Sequence, residues 1–160
     1  MAQTARLIDA RNISGEILLN ESGAYRIHYR GVKKAVSITA APGVRAFVSE
    51  RFCPRSPKAE IIYRVAENAE VILSAFSGGK ELKLAHNIEI GKGGSFSGYF
   101  GFSGKSAEDR WDFWLKEKCA AELHIASFCA GGDNHLHHLL SRQAGGGNVM
   151  KFDGRGIALN

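Results

Sequence analysis

The chain has 160 residues, 44% of them hydrophobic and 23% charged, with 21 Lys and Arg against 16 Asp and Glu for a net charge of +5 at pH 7. That length supports one hydrophobic core, so a single domain over residues 1–160 is expected. The positive excess would favour nucleic acid, but Arg26, Arg30, Lys33, Lys34, Arg45, Lys58, Lys80 and Lys83 are scattered along the chain. A solvated surface with no nucleic-acid partner is the expectation.

The opening segment MAQTARLIDARN, Met1 to Asn12, lacks the continuous apolar stretch of a signal peptide. No later run approaches the roughly 18 apolar residues of a membrane span, which predicts a soluble cytoplasmic protein with no membrane partner. Strands are predicted at Tyr25–Tyr29, Val36–Thr39, Ile61–Val65, Val71–Phe76 and Ile88–Ile90, where β-branched and aromatic residues gather between Pro-Gly, Glu-Asn and Gly-Gly corners. One segment competes for a helix. From Ser106 to Leu123 a capping box is available in Ser106 and Asp109, yet Trp111, Phe113 and Leu115 alternate as a strand requires. Cys53, Cys119 and Cys129 are odd in number and lack CxxC spacing, which indicates neither a disulfide framework nor a zinc knuckle.

Repetition organises the chain. Ala66–Gly79 overlays Lys118–Gly131 with a shift of 52, bringing Ala69, Glu70, Val71 and Phe76 onto Ala121, Glu122, Leu123 and Phe128. Half-way between lies Gly91–Gly104, with Phe96 in the same place. The anchors Ile17, Val44, Val71, Phe96, Leu123 and Val149 are therefore expected to form one stacked interior column. Each follows a small residue, namely Gly15, Gly43, Ala69, Gly94, Ala121 or Gly147, as a tight corner would demand. A unit unable to bury its own apolar face must stack on its neighbours. The expected fold is all-β, a right-handed β-helix or solenoid with about 26 residues per coil. An antiparallel β-sandwich or barrel is the alternative.

The segment AGGDNHLHHLLSRQ, Ala130 to Gln143, carries the densest chemistry. On a strand His135 and His137 share one face and His138 takes the other, so an HxH pair can hold a metal with Asp133 and Cys129 as further ligands. Imidazole with carboxylate suits iron, zinc or manganese, and the competing reading is a polar strand bonded to water and backbone. His28 and His124 alternate with apolar neighbours and should point outward. In the repeat frame His86, Trp111 and His138 should share a column. A cupin-like HxH site lacks its Glu and its second motif, and no Ser-His-Asp order, HExxH or phosphate-binding loop is present.

The phrases RVAENAEVIL (Arg64–Leu73) and EIGKGGSFSGYF (Glu89–Phe100) resemble the β-helical core of the SufB/SufD iron–sulfur cluster assembly scaffolds. DNHLHHLLSRQAGGGNVMKFDGRGIAL, Asp133 to Leu159, is the more specific match, and the likeness spans about Ala35 to Leu159. The resemblance implies a short, non-enzymatic SufB/SufD-like scaffold or accessory protein, with iron or an iron–sulfur cluster as its cofactor. Its partner would be a second copy or a related scaffold subunit. The family's helical regions, including the segment that docks a SufC-like ATPase, have no counterpart here, so that partner does not carry over. Uncapped solenoid ends predict self-association, with Ile157 and Leu159 near the contact. A small metal-binding β-protein using the HxH cluster is the alternative function.

Overall fold

The computed structural model describes residues 5–9, 15–29, 35–52 and 58–159. Every described element is a β-strand, and every pairing between them is parallel. One face of the solenoid is built from β1 (Arg6–Asp9), β3 (Gly23–Tyr29), β5 (Arg45–Phe52), the first half of β7 (Glu70–Ile90), the first half of β8 (Ser95–Leu115), β9 (Ala120–Ala130) and β11 (Val149–Leu159). The other comprises β2 (Glu16–Leu19), β4 (Val36–Ala40), β6 (Lys58–Val65), the second halves of β7 and β8, and β10 (Asn134–Gln143). Chain neighbours therefore lie on opposite faces while ladder neighbours come from successive coils. This is the β-solenoid, with coils of about 25 residues. Parallel pairing throughout rules out the hairpin neighbours of an antiparallel sandwich or barrel.

Side chains alternate in and out along each strand, and the two inward sets meet on the axis. Phe96 on the first face touches Tyr63 and Phe113 on the second, with ring centroids 5.6 and 5.9 Å apart. Tyr29 stacks on Phe52 at 4.9 Å and Phe100 on Phe102 at 4.6 Å. The segment from Ser106 that competed for a helix is strand, and Trp111, Phe113 and Leu115 are all buried in the core. Burying that alternate face against the preceding coil outweighs a local capping box.

The repeat is real, but its register differs from the expected one. Glu70 lies beside Ser95 and Ser95 beside Ala120, a step of 25 residues each time. The overlay shift is thus 50 rather than 52, and Val71 stacks between Ala46 and Phe96, with Ala121 and Met150 beyond. Leu123 stacks on Gly98 instead of Phe96. A side chain on Gly98 would come within 3.0 Å of Leu123 Cδ1 and 3.1 Å of Phe96 Cε1, so the small residue makes room for both neighbours. Ile17 belongs to the opposite face beside Ile38, Val44 occupies a corner, and Val149 beside Ala120 points out and is 54% exposed. An error of two residues leaves the strand period of 2 intact, which is why the anchors between Val71 and Leu123 are still inward.

One corner repeats almost unchanged. The amides of Val44, Ala69 and Gly94 bond back three residues to the carbonyls of Ala41, Ala66 and Gly91. The residue before each, Gly43, Asn68 or Gly93, is left-handed at φ 70, 55 and 67°, and Lys118 and Gly147 continue the column at 54 and 73°. Each of these amides except that of Gly147 also donates to the corner of the next coil: Gly43 to Glu67, Asn68 to Lys92, Gly93 to Glu117 and Lys118 to Gly146. Outside, opposite charges stack one coil apart as Arg45–Glu70, Arg64–Glu89, Lys83–Glu108 and Lys92–Glu117, with N···O distances of 2.8, 3.4, 2.5 and 3.3 Å. Exposed pairs of this kind contribute at most about 1 kcal/mol each, so they favour the register more than they hold the fold.

Burial on the axis carries most of the stability, and Phe96 is 1% exposed at the meeting point of the two faces. Phe96→Ala should lower the unfolding free energy by about 3–5 kcal/mol, measured by urea denaturation, because the surrounding coils cannot collapse into the void. Arg64→Ala, on the surface, should change it by less than about 1 kcal/mol.

Candidate functional site

Two groups of polar side chains interrupt the apolar axis. The first joins β3, β5, β6 and β7. Tyr29 and Tyr63 both donate to Glu50 Oε1 at 2.6 Å, and the Glu50 and His86 side chains are fully buried. Glu50 Oε2 lies 3.5 Å from His86 Nε2, and neither atom has a hydrogen-bond partner among the described residues. His86 stacks flat on Trp111, ring centroids 4.0 Å apart, and edge-on against Phe100. Burying a carboxylate in such a core is costly unless it is bonded; the two phenols satisfy Oε1, while Oε2 has only the His86 contact.

The second group lies at the C-terminal end of the axis. The inward row of β6, β7, β8 and β10 reads Ala59, Leu84, Asp109, His137. On the facing side Ser77, Phe102, Ser127 and Gly156 are stacked. Asp109 is fully buried, with one carboxylate oxygen bonded by Trp111 Nε1 and the other by His137 Nδ1. His137 Nε2 lies 2.6 Å from Ser127 Oγ. Chemistry assigns the protons. A carboxylate only accepts, so Nδ1 carries a hydrogen; in the neutral ring Nε2 then presents a lone pair to which the Ser127 hydroxyl donates. The result is a relay from Ser127 through His137 to Asp109.

The four predicted metal ligands are distributed differently. His135 and His137 do share the inward face, their rings 6.5 Å apart, and His138 beside Arg110 points out. His135 Nε2 donates to the Gly104 carbonyl at 2.7 Å, while its Nδ1 is buried without a partner. Asp133 Oδ2 accepts from the Ala130 amide at 2.6 Å, closing the turn through Gly131 and Gly132. Cys129 is partly buried two residues past Ser127. Among the described residues no three His, Cys, Asp or Glu side chains converge on a point that would suit a metal ion. Cys53 lies outside the described residues, and Cys119 is buried with its thiol 3.1 Å from the Gly91 carbonyl.

The expected column of His86, Trp111 and His138 holds for its first pair. Trp111 is followed by Leu139, since the step from β8 to β10 is Ser106 to Asn134, longer than the 25 of the middle coils. His124 is outward as expected and stacks on Tyr99 at 4.9 Å, and His28 also takes an outward position. Asp109 and Ser127 were not legible as site residues, because their meeting with His137 depends on the coil register and on Asp109 being turned inward.

The tyrosines beside Glu50 make the buried charge measurable. Burial first, and the Glu50 carboxylate second, hold both phenols well above the usual tyrosine range near 10.0. Below pH 10 both states are protonated and stability is unaffected; above it the unfolded chain releases two protons that the folded chain keeps. Stability should therefore fall as pH rises past 10, by up to about 2.7 kcal/mol per pH unit from this pair, and Tyr29→Phe should halve the slope. Chemical denaturation at a series of alkaline pH values reads it directly. No protein-family model, no curated protein and no solved structure matches this chain.

Proposed function

We propose that the chain is a SufB/SufD-like scaffold or accessory protein in iron–sulfur cluster assembly, acting without catalysis by joining a second copy or a related scaffold subunit. The observation that carries this reading is the apolar surface of the coil that β10 and β11 form. Among the described residues β10 pairs with β8 and β11 with β9, and neither has a second partner. Their inward Leu139 and Phe152 are 39% and 50% exposed, where the equivalent positions one coil earlier, Trp111 and Leu123, are wholly buried. Ile157, 51% exposed, extends the apolar surface onto the outside of β11. An unpaired strand edge beside uncovered core residues favours addition of another β-layer. The solenoid itself is the fold that the sequence resemblance implies, and it supports the reading at that level.

Light scattering should return at least twice the 17.4 kDa chain mass at micromolar concentration. Replacing Leu139 and Phe152 together by Lys should shift the population to monomer without loss of the β-sheet circular dichroism signal. A monomer at every concentration would remove the association reading. The iron–sulfur part is tested separately by anaerobic reconstitution with ferrous iron and sulfide: a visible chromophore retained through gel filtration is expected, and a colourless protein would count against it.

A further inference from the structure

We infer that Ser127 is an activated nucleophile for acyl transfer from small esters, with His137 as its general base and Asp109 as the positioning carboxylate. This goes beyond the scaffold reading and does not rest on it. Three observations carry it together.

The first is the polarity of the relay. Asp109 fixes the proton on His137 Nδ1, Trp111 holds the other oxygen of Asp109, and Nε2 is left to receive the Ser127 proton across 2.6 Å. An imidazole held in the reverse tautomer would meet the hydroxyl with a hydrogen and could not act as its base. The second is the position of the nucleophile. Ser127 is stacked directly beneath Gly156 of the last strand, and a side chain built on Gly156 would meet nothing within 4 Å. His137, which covers the serine from the other face, is itself 23% exposed at the side chain. The relay therefore lies beside exposed residues of the last described coil, although Ser127 itself is only 6% exposed. The third is an unmatched polar atom. His135 Nδ1, on the neighbouring inward position of β10, is buried with no hydrogen-bond partner among the described residues; because Nε2 donates to Gly104, Nδ1 of the neutral ring accepts, and a bound water or hydroxyl hydrogen would satisfy it.

In the first half-reaction Ser127 Oγ bonds to the carbonyl carbon of an ester as its proton moves to His137 Nε2. The carbon–oxygen bond to the alcohol then breaks, and the same proton leaves on that alcohol. In the second, water adds to the acyl-serine, His137 takes the water proton and returns it to Ser127 Oγ, and a carboxylic acid departs. Asp109 stays ionised throughout.

The probe is diisopropyl fluorophosphate, which forms a phosphorus–oxygen bond to an activated serine and expels fluoride. It is applied to dilute protein, and the adduct is located by peptide mass mapping. Ser127 should be modified at least about 100-fold faster in the folded protein than in urea, and His137→Gln should remove that advantage. Asp109→Asn should cost about 10-fold or more, and p-nitrophenyl acetate hydrolysis should follow the same order. If either variant loses its circular dichroism signal, Ser127→Cys replaces it: an imidazole-paired thiol should react with iodoacetamide well below the pH at which a free thiol does. Absence of a Ser127 adduct in the folded parent protein overturns the inference. So does equal labelling in folded His137→Gln, or a thiol in the Ser127→Cys variant no more reactive than that of an ordinary cysteine, since a merely structural hydrogen bond would give those results.

Discussion

Everything in this fold depends on one constraint, that each coil must place its inward residues directly over those of the coil before. Parallel strands share hydrogen bonds evenly along the ladder, and nothing in the backbone alone distinguishes one register from a slip of two residues. What distinguishes them is the packing of unlike sizes. Leu123 fits over Gly98, Phe96 over Val71, and the left-handed column at Gly43, Asn68, Gly93, Lys118 and Gly147 closes the turn at the same height in each coil. A slip of two would put Leu123 against Phe96, two large side chains at one level, and Ile125 against Gly98.

That constraint also explains why polar groups can sit on the axis at all. A lone carboxylate there would cost several kcal/mol, yet Glu50 and Asp109 are each met by hydrogen-bonding side chains. Tyr29, one coil earlier, and Tyr63, across the axis, serve Glu50. Trp111, two residues along the same strand, and His137, one coil later, serve Asp109. Both clusters draw on more than one coil, so they form only when the stacking is correct. Buried polar networks of this kind penalise every wrong register more than they stabilise the right one.

The β-content, the solenoid fold, the inward set Val71, Phe96, Trp111 and Phe113 and the shared face of His135 and His137 were legible in the amino-acid pattern, because strand alternation survives any even error in the period. The period itself was blurred by averaging across coils of unequal length. Arg6 lies beside Tyr25 and Ala120 beside Val149, so the coils at either end are shorter or longer than the middle ones. A sharper signal was present in the charges: Arg45 to Glu70, Arg64 to Glu89, Lys83 to Glu108 and Lys92 to Glu117 are each 25 residues apart, although the basic residues look scattered when read without their acidic partners. With that spacing Asp109 falls beneath the strand bearing His137. The extra residues of the turn at Gly131 and Gly132 still have to be placed before the two meet, and no spacing rule supplies them.

His137 is also where two chemistries exclude each other. A carboxylate on Nδ1 orients a histidine to offer Nε2 to whatever stands opposite, and that is as useful to a metal as to a proton. A metal at this position would have to displace the Ser127 hydroxyl from Nε2 and find further donors. His135 is committed to the Gly104 carbonyl through Nε2, and Asp133 to the Ala130 amide. The proton acceptor role needs no rearrangement, since the donor is already 2.6 Å away. Because the two uses compete for a single lone pair, a metal that did bind Nε2 would free the Ser127 hydroxyl and silence it as a nucleophile, so metal occupancy and serine reactivity at this end of the solenoid must vary in opposite directions.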